Sequence, residues 1–198
     1  MPSTTATLDP AAEAWTLPDK GRLGMICLII AESAIFTIFV VAYLYYIGRD
    51  ISGPTPRQVL ELPILNSVCL LSSSVTITFA LRALARGAVR SFGGWWLVTI
   101  GLGTYFLVGT GIEWKKLIVE KGLTLQTNLF GTTFYSLVGL HAFHVVIGLL
   151  MLSIVLAFTL AGKVRQTHHG RMDVLALYWH FVDVVWIVVF TVVYVIGR

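Results

Sequence analysis

The sequence predicts an all-α fold, a polytopic membrane helical bundle with five transmembrane helices, and three observations carry that prediction. First, the 198-residue chain is 57% hydrophobic and 12% charged, with a mean hydropathy of +0.83, whereas water-soluble domains carry about 25% charge. Second, the charges lie between long uncharged runs, each near the ~20 residues that a membrane helix needs. Third, the runs are apolar on every face, while a membrane β-barrel would need ~10-residue strands of alternating polarity. Without water, such a run satisfies its own peptide groups by coiling into a helix. These features exclude an ordinary soluble enzyme. They also exclude a nucleic-acid partner. The 14 Lys+Arg and 10 Asp+Glu give a formal charge of +4, but the cations stand in ones to threes and form no continuous patch.

The elements follow in order. Residues 1 to about 20 hold Pro, Thr, Ala and three acids, and read as an amino-terminal tail. They lack the positive segment and short apolar stretch of a signal peptide, so insertion is expected to use the first span itself. That span, about 23–47, is interrupted only by Glu32. A polar turn, Gly48 to Pro56, leads to the second span, 62–84. A short basic link, Arg86 to Arg90, leads to the third, 91–114. Trp95 and Trp96 open the third span and Trp114 closes it, as an aromatic belt at both interfaces requires. The polar connection Lys115 to Asn128 precedes the fourth span, placed at 132–161 within a charge-free stretch, Leu123 to Gly162. That stretch exceeds one crossing, so tilt or a protruding end is expected. The polar connection Lys163 to Asp173 holds His168 and His169, read as solvated loop histidines. The fifth span, 174–197, is interrupted only by Asp183. The membrane domain therefore covers 21–198, without an internal repeat or a soluble second domain.

Orientation rests on the cations beside the spans. With the amino terminus in the cytoplasm, the inside segments hold Lys20, Arg22, Arg82, Arg86, Arg90, Lys163, Arg165 and Arg171. The outside segments hold Arg49, Arg57, Lys115, Lys116, Lys121 and Arg198, six against eight. The positive-inside rule favours the amino terminus in and the carboxyl terminus out.

A charge at mid-bilayer costs about 2.5–3.5 kcal/mol on insertion scales, so ionisable residues within spans usually have a role. Glu32 sits near mid-depth and needs a hydrogen-bond partner. Its position suits proton or lipid chemistry, with a structural bond between helices as the plainer role. His141 and His144, three apart, share a face of the fourth helix, and His180 and Asp183 are spaced alike on the fifth. Imidazole suits iron and copper. However, a two-haem membrane cytochrome needs histidine pairs at matched depths on facing helices, so interhelical hydrogen bonding is the favoured role, with Asp183 orienting or pairing with His180. Glu113, followed by Trp114, Lys115 and Lys116, reads as an interfacial residue pairing with lysine. Arg22, Arg82 and Arg171 are interfacial candidates for lipid headgroups.

Other motifs fail. Cys27 and Cys69 sit in separate spans, without zinc or dinuclear-copper spacing. Gly101-Leu-Gly103 lies inside a span, where glycine serves close helix packing. No phosphate-binding glycine loop occurs. No catalytic, cofactor or metal site is expected in this chain.

Several stretches carry a resemblance. Tyr178 to Trp186 reads Tyr-Trp-His-Phe-Val-Asp-Val-Val-Trp and closely resembles the carboxyl-terminal signature of subunit III of the haem-copper oxidases. Leu65-Asn-Ser-Val-Cys-Leu-Leu-Ser-Ser-Ser74 resembles that family's second-span pattern. Gly131-Thr-Thr-Phe-Tyr135 and His141-Ala-Phe-His144-Val-Val-Ile-Gly148 resemble its Gly-Ser-Thr-Phe and His-Gly-x-His elements. Ile30-Ala-Glu32-Ser resembles the segment with the intramembrane carboxyl, and Glu113-Trp114 resembles a Glu-Tyr pair. The likeness runs in order from about Gly21 to Gly197. Departures are few. Mitochondrial-type relatives have two further helices at the start, Thr110 stands for a glutamine, and Asp173 stands for a glutamate.

The resemblance implies an accessory, non-redox subunit III of a proton-pumping terminal oxidase in a bacterial inner membrane. Haem and copper would lie in subunits I and II, its partners, with other respiratory complexes as a further partner class. It implies bound phospholipid in a cleft between helix groups, support of proton uptake, and protection of the enzyme during turnover. The basic link after the second span is compatible with such a cleft. Glu32 fits the cytochrome c group, and Gly53-Pro-Thr and Glu61-Leu-Pro63 resemble quinol-oxidase relatives. Cytochrome c is the favoured donor and a quinol oxidase the alternative. An independent cytochrome with His141, His144 and His180 as haem ligands is a rival. A transporter would show broken helices and inverted repeats, and neither is evident.

Overall fold

The computed structural model describes residues 19–49, 60 and 62–197. Five helices in it are long and apolar enough to cross a membrane, and no strand occurs among the described residues. They are α1, Lys20–Tyr46, α2, Ile64–Ala85, α3, Val89–Val119, α4, Leu129–Leu160, and α5, His169–Phe190. A 3-10 turn, Gln166–His168, leads into α5, and a π-helical stretch, Thr191–Ile196, continues it. Most of the expected tail and of the Gly48 to Pro56 turn lies outside the described residues, as do Arg57, Glu61 and Arg198.

Several helices overrun the apolar runs. α3 continues through Glu113, Lys115 and Lys116 to Val119, because lysine and glutamate are good helix formers once the backbone leaves the hydrocarbon. The α5 span likewise begins before Asp173. The 31 and 32 residues of α3 and α4 extend about 47 Å at 1.5 Å per residue, against a ~30 Å core.

The last helix is the hub. α5 packs against α1, α2 and α4, and 56% of its most apolar window is buried, against 6% for α1. α1 attaches by one narrow stripe. Phe36 meets His144 and Phe181, with ring centroids 5.0 and 6.4 Å apart, and Tyr43 meets Phe130 at 6.3 Å.

The basic link does not divide the bundle. α2 and α3, on either side of it, make the most extensive helix–helix contact in the structure. The link is too short to do anything but fold them into a tight antiparallel pair. Gly87, at φ +76°, supplies the left-handed residue that this reversal needs. Gln166 donates from Nε2 to the Ala85 carbonyl at 2.5 Å, tying this turn to the start of the fifth span.

Candidate functional site: the intramembrane polar network

One face of α5 carries indole, imidazole and carboxyl groups, and one face of α2 carries serines. Ser67 and Ser73 are six residues apart, and Trp179 and Trp186 are seven. At 1.5 Å per residue these separations are about 9 and 10.5 Å, so the two pairs meet at matching depths on antiparallel helices. Trp179 donates from Nε1 to Ser73 Oγ at 2.8 Å, and Trp186 donates from Nε1 to Ser67 Oγ at 3.0 Å. Each serine passes its own proton back along α2, Ser73 to the Leu70 carbonyl at 2.5 Å and Ser67 to the Pro63 carbonyl at 2.9 Å. Every donor is thereby satisfied without solvent.

Between the two indoles, Ser74 links the two ionisable groups in the middle of α5, His180 and Asp183. Its hydroxyl donates to Asp183 Oδ2, and its oxygen lies 2.9 Å from His180 Nδ1. With the hydroxyl proton committed to Asp183, the imidazole N–H is the donor to Ser74. His180 and Asp183 are therefore joined through a serine of α2. The sequence reading paired them directly and gave Ser74 no role. Asp183 is 3% exposed, and its Oδ1 has no hydrogen-bond partner among the described residues.

A second unit joins α1 to α4. Glu32 Oε2 lies 3.2 Å from His144 Nε2. His144 Nδ1 lies 2.8 Å from the Leu140 carbonyl, which can only accept, so Nδ1 carries a proton. One further proton then serves the Nε2–Oε2 contact, whichever atom holds it. Tyr178 of α5 donates from its hydroxyl to the His144 carbonyl at 3.2 Å, and the Phe36 ring covers the imidazole. The carboxyl is thus held in a fixed geometry with a quarter of its side chain still exposed, at 24%.

His141 behaves differently from its neighbour three residues away. It is fully buried, and neither ring nitrogen has a hydrogen-bond partner among the described residues. Its ring lies 5.0 Å from Trp186 and 5.8 Å from Phe106. The expected interhelical hydrogen bond is absent because a three-residue step turns the side chain about 60° from His144. His144 therefore meets α1, and His141 meets the aromatic rings of α3 and α5.

The interfacial candidates separate. Glu113 accepts from the Tyr194 hydroxyl at 3.0 Å, because the π-helical stretch carries Tyr194 toward α3. Arg22 and Asp173 approach to 4.0 Å between α1 and α5, with both side chains largely exposed. Arg82 lies 5.9 Å from the Phe79 ring, and Arg171 is exposed at the start of α5. Sequence reasoning missed Ser67, Ser73, Ser74, Tyr178 and Tyr194 as partners. The similar spacing of Ser67 and Ser73 on one span and of Trp179 and Trp186 on another was the signal available for the two serines that meet indoles.

Glycines set how closely this network packs. Trp179 is fully buried, and its six-membered ring lies in a slot between α3 and α4. A Cβ on Gly148 would sit 2.7 and 2.8 Å from Trp179 Cζ3 and Cε3. A Cβ on Gly103 would sit 2.8 and 2.9 Å from Cη2 and Cζ2.

His144 uses both nitrogens within the bundle, His180 Nδ1 is held by Ser74, and His141 is wedged between rings. Among the described residues, no three His, Cys, Asp or Glu side chains cluster as a metal site would need.

Comparison with known proteins follows this geometry. The family model of cytochrome c oxidase subunit III matches residues 14–198. The chain is similar to the cytochrome c oxidase subunit 3 of Synechocystis sp., 39% identical over 183 residues, covering 90% of this chain and 77% of the relative. It is similar to that of Thermostichus vulcanus, 35% identical over 184 residues, with 91% and 90% covered. It is also similar to that of Alkalihalophilus pseudofirmus, 33% identical over 197 residues, with 98% and 96% covered.

Proposed function

Because the chain belongs to the cytochrome c oxidase subunit III family, we propose that it is the accessory, non-redox subunit of a proton-pumping terminal oxidase. It spans a bacterial inner membrane with its amino terminus in the cytoplasm, packed beside the subunits that hold haem and copper. Its own work is to support proton uptake, hold phospholipid and sustain the catalytic subunit. The relatives are named as cytochrome c oxidase subunits, which supports cytochrome c over quinol as the electron donor.

The observation that carries the non-redox reading is how the polar groups are used. His144, His180, Asp183 and Ser74 are spent on one another and on backbone carbonyls. Of the two submerged carboxyls, Glu32 combines a hydrogen bond with partial exposure, whereas Asp183 is 3% exposed. With one shared proton a carboxyl–imidazole pair can pass it between Oε2 and Nε2 while the pair as a whole stays neutral. Glu32 and His144 are therefore the residues proposed for proton support, and Arg22, Arg82 and Arg171 the ones proposed for lipid headgroups.

Purification of the oxidase with and without this chain tests the proposal. The chain is expected to co-purify with the haem-copper subunits, and its removal is expected to shorten the enzyme's working life while leaving the haem spectrum intact. A chain that never accompanies those subunits, or that retains a stoichiometric Soret band alone, refutes the reading.

A further inference from the structure

The buried phenols and indoles of this bundle differ in where their protons are held. Trp96 donates to the Leu152 carbonyl at 2.9 Å, Tyr135 to the Leu123 carbonyl at 2.8 Å, and Tyr178 to the His144 carbonyl at 3.2 Å. Trp179 and Trp186 donate to serine hydroxyls. The Tyr43 hydroxyl and Trp114 Nε1 have no hydrogen-bond partner among the described residues. Tyr194 differs from all of these. Its hydroxyl donates to Glu113 Oε1 at 3.0 Å, and it is the one buried phenol or indole among the described residues that donates to a carboxyl group. The difference matters when an electron is removed. An oxidised phenol is a strong acid, so its oxidation is easy only where a base can take the proton. Carbonyls and hydroxyls are very weak bases, and a carboxylate is a far stronger one. The rings around Tyr194 also form a path. Its ring lies 6.4 Å from that of Trp186 and stacks on that of Phe190 at 5.6 Å. On the other side it meets Phe134 at 6.5 Å, Phe134 meets Tyr135 at 5.1 Å, and Tyr135 meets Trp114 at 5.2 Å. Trp114 is half-buried and reaches the membrane-facing side of α3 and α4, whereas Tyr194 is 2% exposed and shielded from solvent.

We propose that Tyr194 is a one-electron oxidation site, from which the electron leaves along these rings while the phenolic proton passes to Glu113 Oε1. The oxygen–hydrogen bond of Tyr194 breaks and one forms on Glu113, giving a neutral tyrosyl radical beside a carboxylic acid. The oxidant is of the strong one-electron class, such as the radicals left by incomplete reduction of dioxygen. A one-electron reductant of the thiol or ascorbate class restores the phenol, with Glu113 returning the proton. Such a sink for stray oxidising equivalents needs no cofactor and lies outside electron transfer in turnover, so it stands apart from the oxidase assignment.

The test uses the full-length chain with Cys27→Ser and Cys69→Ser, carrying a ruthenium tris-bipyridyl complex on Ile118→Cys. Ile118 is 46% exposed and lies about one helical turn from Trp114. A light flash with a sacrificial electron acceptor makes ruthenium(III), which takes one electron from Trp114. The hole is expected to settle as a neutral tyrosyl radical, read by electron paramagnetic resonance and transient absorption, and to form more slowly in heavy water. Tyr194→Phe is expected to abolish that signal. Glu113→Gln keeps the shape and the hydrogen bond but is no base, and is expected to slow radical formation by about a hundredfold or more, the low end for a positioned proton acceptor. A purely structural bond between Tyr194 and Glu113 would leave both variants like their parent. An unchanged tyrosyl signal in Tyr194→Phe overturns the proposal. So does an unchanged rate in Glu113→Gln, or a hole that stops on Trp114 or Tyr135.

Discussion

Gly148→Ala puts a number on the Trp179 slot. The new Cβ would lie 2.7 and 2.8 Å from two ring carbons, where carbon atoms prefer about 3.5–4.0 Å. The indole would have to retreat by roughly an ångström. Two features oppose that retreat. The far edge of the ring already lies against Gly103, and Nε1 is held by Ser73 at 2.8 Å. Overpacking of this kind costs about 1–3 kcal/mol, so Gly148→Ala is expected to lower the midpoint of detergent or thermal unfolding by that equivalent. The decisive measurement is the same substitution on a Trp179→Phe background. Three of the four ring atoms that the new methyl groups would strike, Cζ3, Cη2 and Cζ2, lie farther from the backbone than any atom of phenylalanine. Trp179→Phe alone destabilises, by the lost hydrogen bond and the cavity. On that background Gly148→Ala should be neutral or stabilising, because it fills the space. An equal penalty on both backgrounds would refute the slot, since only contact between the two residues makes the effects non-additive.

Three further outcomes follow. Ser74→Ala leaves Asp183 with neither oxygen bonded, and should destabilise by about 1–3 kcal/mol. Adding Asp183→Leu should recover part of that in the same unfolding assay, and no recovery would mean that the serine acts elsewhere. Glu32→Gln keeps the shape of the side chain and removes the exchangeable proton. The oxidase should assemble at normal yield, with slower proton delivery or faster inactivation during turnover; unchanged rate and lifetime together would leave Glu32 a purely structural residue. Arg22→Gln should change stability by less than about 1 kcal/mol, because an exposed pair at 4.0 Å is worth little, and a larger shift in the unfolding midpoint would count against that view.

The five spans were legible because lipid imposes a strong rule, that long uncharged runs become helices, and this chain has five of them. Their ends were less legible. Lys115, Lys116 and Asp173 look like boundaries by charge, but the helix continues past them once it reaches the headgroups. Glu32, His144, His180 and Asp183 were readable as submerged polar groups from cost alone. Their partners were not, because Ser74 and Leu140 carry no charge, and their importance depends on which helices touch. His141 shows the same limit from the other side. Its type suggests a hydrogen bond, but its angular position delivers it to Phe106 and Trp186. The basic link suggested a division after the second span, because charge marks a turn without saying how closely the turn closes.

The hub of this bundle leaves the ribosome after the four helices that it joins. Until α5 enters the bilayer, Ser67, Ser73 and Ser74 lack their cross-helix partners, and the slot between Gly103 and Gly148 is empty of its ring. Four inserted helices therefore wait, incompletely locked, for the fifth to follow them. A nascent chain stalled before His169 would hold four threaded spans and still lack the ring and donors that lock them together.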